Sequence, residues 1–187
     1  MDYNIITKSE LKEWSEVDPE YKLIVLDAIR SDKNLDIENS DMDHAKFLSY
    51  CLLKKSKSQV KIFTGNLKET FYSDDKIFGA FEAAVNRGVS IKIITSENPE
   101  PSKILKLYKK NKENLKLFKL RNKSATSNHF MLVDDSSYRL EAPHTEEEIK
   151  KNKVRGVVNF NDSSLAKKIS LFFDRTLSSN AEMIEIK

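Results

Sequence analysis

A single histidine at the start of an apolar run is the feature of this sequence that points most directly to chemistry. His129 precedes the apolar residues 130–133, and the whole chain of 187 residues contains three histidines. An imidazole at the end of a buried strand can act as a nucleophile, or as an acid and base near neutral pH. It can equally be a structural histidine at a strand edge, and the residues alone leave both interpretations open.

Charged side chains follow His129 within the same predicted hairpin. Asp134 and Asp135 precede two serines, which is typical of a tight turn between strands, although they could also orient an imidazole or bind a metal. In the second strand, alternation of side chains places Arg139 and Glu141 on one face. These two residues could form ion pairs across the hairpin, or Arg139 could bind a phosphate.

The other two histidines are predicted to be exposed, His144 in the polar loop 142–152 and His44 early in a helix. The single cysteine, Cys51, excludes an internal disulfide and a zinc site built from cysteines. It also fits a reducing compartment. No glycine-rich phosphate loop, Ser-His triad spacing or convincing metal cluster is visible, so the sequence predicts no metal and no cofactor.

Alternating strand and helix patterns must position the hairpin 128–141. The other predicted strands are 60–64, 89–94, 115–118 and 154–160, and the predicted helices are 19–30, 40–55, 75–87, 102–112 and 162–177. A last short strand or a tail is expected at 181–187. This alternation predicts an α/β sandwich with a mixed β-sheet flanked by helices.

Residues 1–39 are predicted to be an N-terminal helical extension, and residues 40–187 the main domain. Asp18 and Pro19 indicate the start of a helix, while 31–39 is expected to be a polar loop. Ser40 with Asp43 is typical of a capping box at the start of the next helix. No signal peptide and no apolar run long enough to span a bilayer is visible, so we expect a cytoplasmic protein.

Basic residues are concentrated in one segment of a chain whose net charge is only +3. Residues 103–123 contain nine lysines and arginines but a single acid, Glu113. A solvated helix face explains such a cluster, and so does a surface that attracts phosphates. The balanced total charge alone does not indicate nucleic acid.

From residue 40 to residue 177, the order of elements resembles one half of a phospholipase D superfamily protein. The strand and turn 60–66, with the helix ending at 84–89, resemble the first strand-helix-strand unit of that family. Residues 159–162 and the helix after them resemble its closing strand and helix. The resemblance implies a layered sandwich with a mixed sheet, and commonly a homodimer.

The signature of that family is a histidine, one residue, a lysine, four residues and an aspartate. The resemblance implies that the histidine attacks phosphorus, the lysine stabilises the phosphate charge and the aspartate orients an imidazole. Here His129 matches the histidine, but Met131 stands at the lysine position and Ser136 at the aspartate position. Catalysis should therefore be impaired, because such a contact supplies roughly 2.7–4 kcal/mol to a transition state.

These observations lead to three hypotheses. The first is a degenerate phospholipase D-like domain that binds a phosphate-containing partner, with nucleic acid favoured and little or no catalysis. The second is an active, metal-independent phosphodiesterase or nuclease with His129 as nucleophile. The third is an interaction module whose N-terminal helix docks onto a larger complex.

The first hypothesis assigns a role to residues of the basic segment and of the hairpin. The predicted phosphate-binding residues are Lys116, Lys119, Arg121, Lys123 and Arg139. Asp134, Asp135 and Glu141 are predicted to support them, and His129 is the catalytic residue if any activity survives.

Overall fold

The computed structural model describes residues 5–31, 33–67, 69–99, 101–122, 129–142 and 144–184. The strands in this part of the chain are β1 (Asp36–Asn39), β2 (Gln59–Thr64), β3 (Ser90–Thr95), β4 (Leu115–Leu120), β5 (Phe130–Val133), β6 (Ser137–Glu141), β7 (Gly156–Asn159) and β8 (Ala181–Met183). The helices are α1 (Lys8–Lys12), α2 (Pro19–Ser31), α3 (Met42–Lys55), α4 (Glu69–Tyr72), α5 (Asp75–Asn86), α6 (Lys103–Lys110), α7 (Glu146–Lys150) and α8 (Ser163–Asn180).

All eight described strands belong to one mixed sheet, in the order β1-β7-β6-β5-β2-β3-β4-β8. Helices flank this sheet, which confirms the predicted α/β sandwich. Strands β2, β3 and β4 are parallel, so their carboxyl ends lie at the same edge of the sheet. Strand β5 runs antiparallel to β2 and begins at that edge, and β6 ends there. One edge of the sheet therefore gathers residues that are far apart in the sequence.

Two apolar cores lie on the two faces of the sheet. The larger core includes Phe47 of α3 and Phe81 of α5, and the smaller core includes Phe63 of β2 and Phe173 of α8. The helical spacing of apolar residues in the sequence predicts a core position for Phe172 as well, and this prediction is wrong, since Phe172 is 45% exposed. Neighbouring residues of a helix point about 100° apart, so α8 cannot bury both phenylalanines against one sheet.

The N-cap of α5 lies at the predicted start of that helix, whereas the N-cap of α3 differs from the prediction. Asp74 accepts hydrogen bonds at the start of α5, and Gly88, with φ of 82°, follows its end. The predicted capping box of Ser40 with Asp43 is wrong by one residue. Asp41 is the N-cap of α3, and its carboxylate accepts a hydrogen bond from the backbone of His44 at 2.8 Å. Serine and aspartate are both good N-cap residues, so composition could not separate them.

The segment before residue 40 contributes to the sheet and to the core. Residues 36–39 form β1 and pair with β7, so the expected loop at 31–39 is wrong for these four residues. Trp14 is 1% exposed, and its ring lies 5.5 Å from that of Phe47 and 5.4 Å from that of Tyr50. In the described part of the chain, we find no helix with the length and apolar character needed to cross a membrane.

Candidate functional site

Three basic side chains converge on one carboxylate at the edge where β6 ends. The Nδ1 atom of His129 lies 3.3 Å from Oε1 of Glu141, and Nδ1 of His144 lies 3.0 Å from the same oxygen. Arg139 donates from Nη1 to the other oxygen, Oε2, at 2.7 Å. These four residues form a compact polar cluster, which we call the Glu141 cluster.

The register of the β5–β6 hairpin explains how the Glu141 cluster forms. The backbone N–H of Glu141 donates to the carbonyl of His129 at 2.8 Å, so these residues face each other across the strands. Alternation along β6 places Arg139 on the same face as Glu141, as the sequence predicted. The two residues pair directly with each other. His144 follows three residues after Glu141 and returns to it from the loop.

Burial and charge together determine the ionisation of Glu141, whose side chain is 12% exposed. Burial alone would raise its pKa. The hydrogen bond with His129 and the charge of Arg139 outweigh burial and lower the pKa to about 2. Glu141 is therefore an anion over the physiological pH range, and it can hold cationic groups or a metal in place.

Arg139 is a buried cation with unused hydrogen-bonding capacity. It is 4% exposed, and its Nε donates to Oδ1 of Asn39 at 3.4 Å. Its Nη2 atom has no hydrogen-bond partner among the residues that the structure describes. A buried donor without an acceptor costs roughly 1–3 kcal/mol, more when it is charged, so an acceptor from a ligand would be favourable here.

Gly156 of β7 makes room for this arrangement. A Cβ atom at this position would lie 2.6 Å from the carbonyl oxygen of Leu140, 2.9 Å from Oδ1 of Asn39 and 3.4 Å from Nη2 of Arg139. Two of these separations are shorter than real contacts allow. Only glycine therefore lets β7 pass this close to the buried guanidinium and to the amide that binds it.

A cavity of about 280 Å³ adjoins the Glu141 cluster and includes all four of its residues in the wall. Further wall residues come from the carboxyl ends of β2 and β3, namely Thr64, Gly65, Asn66, Ser96 and Glu97. A Cβ on Gly65 would lie 3.6 Å from Nε2 of His129, so one edge of this imidazole packs against the glycine. The cavity size and polar wall suit a small ligand or part of a larger one.

Ser49 and Tyr72 add hydroxyl groups to the cavity wall. Oγ of Ser49 is buried and makes no hydrogen bond within the described ranges of the chain. Burial raises the pKa of Tyr72 to about 12, despite a hydrogen bond with Thr64, so its phenol stays protonated. Tyr72 is therefore a neutral hydrogen-bonding group in the cavity wall.

Met131 occupies the predicted lysine position and is buried in the cavity wall. Its partner across the hairpin is Arg139. A guanidinium on the neighbouring strand therefore lies opposite the position where the family signature has its lysine. The Nη1 atom of Arg139 is already hydrogen-bonded to Glu141, whereas a lysine at position 131 would bring a second positive charge.

Among the described residues, the other predicted phosphate-binding side chains do not line the cavity. Lys119 and Arg121 lie at the carboxyl end of β4, at the same edge of the sheet as the cavity. Lys119 donates to Oδ1 of Asn98 at 2.7 Å, and Nε of Arg121 lies 3.8 Å from the carboxylate of Glu182. Lys116 lies nearer the start of that strand, and Lys123 lies outside the described residues.

Asp134 and Asp135 lie at the turn, at the opposite end of the hairpin from His129. The carboxylate of Asp134 accepts hydrogen bonds from the backbone N–H groups of residues 57, 58 and 59, at 3.1, 2.9 and 3.0 Å. Its φ of 51° is the left-handed conformation that aspartate tolerates in turns. Asp135 accepts from the side chain of Gln59 at 3.1 Å. The turn interpretation is confirmed, and neither acid contacts the cavity.

Sequence reasoning missed the position of His144. It was expected to be exposed, but its side chain is 15% exposed and contacts Glu141. The only signal was its spacing of three residues from Glu141, which is uninformative in an irregular loop. His44 was also expected to be exposed. Its ring stacks on Tyr21 at 4.0 Å and lies 3.4 Å from the carboxylate of Asp41.

No protein-family model and no curated protein matches this sequence. Solved structures do match its fold. Nuc from Salmonella typhimurium, a phospholipase D family member, superposes with a TM-score of 0.63 and 16% identity over 82% of this chain and 100% of that one. NucT from Helicobacter pylori superposes with a TM-score of 0.62 and 16% identity, over 79% of this chain and 98% of that one. The chain has a phospholipase D-like fold.

TrmBL2 shares this phospholipase D-like arrangement with a TM-score of 0.60 and 16% identity. It is an archaeal chromatin protein with a novel mode of DNA binding. The match covers 92% of the present chain and 64% of TrmBL2, so the chain spans about two thirds of that protein's length. At these identities, the comparisons establish the fold alone.

Proposed function

We propose that this protein is a degenerate phospholipase D-like domain that binds a phosphate-containing partner, nucleic acid being favoured, with little or no catalysis. The observation that carries this proposal is the buried guanidinium of Arg139 in the cavity wall, whose Nη2 lacks an acceptor within the described part of the chain. Phosphate oxygens are strong acceptors for arginine donors. The cavity at the sheet edge is then the phosphate site.

Two further observations support nucleic acid as the partner. Lys119 and Arg121 lie at the same sheet edge as the cavity and place positive charge at the carboxyl end of β4. TrmBL2, with the same fold, binds DNA. A polyanion could reach both the cavity and this basic end of β4, whereas a small phosphate ester would occupy the cavity alone.

Impaired catalysis follows from the groups around His129. Met131 supplies no charge, and the guanidinium of Arg139 is paired with Glu141 at 2.7 Å. A transition state with extra phosphate charge would therefore gain little stabilisation from this wall.

The test of binding uses fluorescently labelled DNA and RNA oligonucleotides in a salt titration. We expect affinity to fall steeply with salt, and to fall about tenfold or more in the double change Lys119→Glu/Arg121→Glu. The matched control is Lys8→Glu/Lys12→Glu, which makes the same change in net charge on exposed residues of α1. Equal losses in both double variants, or no binding at low salt, would contradict the proposal.

A second candidate, a metal-independent phosphodiesterase or nuclease, is favoured by the contact between His129 and Glu141. If Nδ1 donates to the carboxylate, Nε2 keeps its lone pair and can attack phosphorus. Cleavage of DNA or RNA in the presence of a chelator, abolished by His129→Ala, would establish this activity. Absence of cleavage together with retained binding supports the degenerate domain.

A homodimer, a protein partner bound through the N-terminal helix and a cytoplasmic location complete the proposal. Sedimentation of the purified chain tests the dimer directly. Capture of a partner that is lost on charge reversal of exposed residues of α2, without nucleic-acid binding, would instead favour the interaction module.

A further inference from the structure

Three side chains of the Glu141 cluster present metal-binding atoms to one another. One ring nitrogen of His129, one ring nitrogen of His144 and a carboxylate oxygen of Glu141 lie within 4.8 Å of one another. We propose that these three residues bind one divalent transition-metal cation, with zinc as the best match. The spacing of these residues did not indicate such a site, because His144 was predicted to lie in solvent.

The distances in the cluster fit a shared metal. Ligands at about 2.0–2.1 Å from a tetrahedral zinc ion are about 3.3 Å from one another. The two histidine nitrogens lie 3.3 and 3.0 Å from Oε1 of Glu141, so two of the three edges already have this length. The third edge joins one ring nitrogen of each histidine, and these atoms lie within 4.8 Å of each other, so a shared metal would draw the two rings closer together.

Arg139 holds the carboxylate in a suitable orientation. It binds Oε2 of Glu141 at 2.7 Å and leaves Oε1 directed at both histidines. Metal-binding carboxylates are commonly held in this way by a neighbouring donor, which fixes their orientation. Arg139 is therefore a positioning residue for the metal.

The charge of Glu141 also favours a cation. Among the described wall residues, its carboxylate faces both histidines. A divalent cation bound there would add positive charge to the wall and create an attractive site for an anion. Three protein ligands also leave a fourth position for water or for a ligand oxygen, as in catalytic zinc sites. The metal site thus extends beyond the proposed function, which needs only Arg139.

The donor set indicates the class of metal. Two imidazole nitrogens with one carboxylate oxygen suit zinc and other first-row transition metals. Calcium and magnesium prefer sites made of oxygen atoms, and they are expected to bind poorly.

Hydrogen bonds are the rival explanation for these distances. Without a metal, each histidine must donate an N–H to Glu141, whereas a metal requires a lone pair on both Nδ1 atoms. The two arrangements therefore differ in which ring nitrogen carries the proton, because a neutral imidazole that donates from Nδ1 must carry its proton on Nε2 before Nδ1 can bind a metal.

The experiment is a calorimetric titration of the full, tag-free chain with zinc alone. We expect one zinc per chain and at least a tenfold loss of affinity in both His129→Ala and His144→Ala. The matched control is His44→Ala, which removes the histidine outside the Glu141 cluster and should leave zinc affinity unchanged. Cobalt substitution should give the visible spectrum of a four-coordinate ion with nitrogen and oxygen ligands.

Lack of stoichiometric binding, or equal affinity in wild type and both cluster variants, would overturn the proposal. Thermal unfolding with and without zinc identifies misfolded variants. A folded variant that has lost the site still shows a cooperative unfolding transition, but zinc no longer raises its unfolding temperature. The titration contains no nucleic acid, so its outcome is independent of the oligonucleotide test above. Failure of either experiment leaves the other proposal standing.

Discussion

The two ends of the β5–β6 hairpin use a carboxylate in different ways. At the turn, Asp134 accepts three backbone hydrogen bonds from residues 57–59 and connects the hairpin to the start of β2. At the open end, Glu141 holds three side chains beside a cavity, and Arg139 keeps a donor without an acceptor in the described structure. Complete pairing indicates a structural role, whereas incomplete pairing beside a cavity indicates a binding role.

The largest effect is expected from Arg139→Met at the open end. This change leaves the buried carboxylate of Glu141 without its guanidinium, which should lower the free energy of unfolding by about 3 kcal/mol. Urea denaturation measures the loss. The double change Arg139→Met/Glu141→Gln removes both charges and should recover part of it. No recovery would mean that the pair is needed for the fold itself, and the contrast between the ends would disappear.

Asp134→Ala at the turn should have the next largest effect. It removes the acceptor of three backbone N–H groups and places alanine at a φ of 51°. We expect a loss of roughly 2 kcal/mol in unfolding free energy. Binding of oligonucleotides by the folded protein should be unchanged. A change in binding without a change in stability would show that the turn, too, serves the ligand.

Acid should remove the contribution of Asp134 in the turn to the stability of the protein. Burial opposes ionisation of Asp134, but hydrogen bonds from residues 57–59 lower its pKa below the usual value of 3.8. A lowered pKa in the folded state stabilises the protein above the unfolded pKa, and this contribution is lost as pH falls through the folded pKa. The stability difference between wild type and Asp134→Asn should therefore shrink below pH about 4. A pH-independent difference in urea midpoints would contradict this account.

Gly65→Ala should have the smallest effect. The added methyl would lie 3.6 Å from the ring of His129, which is ordinary van der Waals contact. We expect a change of unfolding free energy within about 0.5 kcal/mol. If thermal unfolding instead showed that Gly65→Ala loses several kcal/mol of unfolding free energy, the ring of His129 would be too tightly packed against residue 65 to admit a methyl group.

Local pattern predicted much of this fold. The alternation of side chains placed Arg139 and Glu141 on one face, and Gly88 indicated the end of α5. Both depend on neighbours in sequence. The path of the loop that brings His144 back to Glu141 depends on packing between distant segments. For this reason, the spacing of residues did not reveal the Glu141 cluster.

The edge strand β1 illustrates the same limit. Its residues 36–39 are too few for a clear alternating pattern, and their hydrogen-bonding partner β7 lies more than a hundred residues away. Phe172 and Phe173 show a finer limit, because helical spacing located the apolar stripe of α8 but not which neighbour faces the sheet.

The contact between Asn39 and Arg139 determines how this protein can be trimmed. A cut at residue 40, where the sequence places its main domain, would remove the amide oxygen that accepts from Nε of Arg139. It would also remove β1 and uncover the edge of β7 beside Gly156. A shortened chain would then present an altered guanidinium to its ligand. Affinities measured on such a fragment would describe the fragment and not the intact protein.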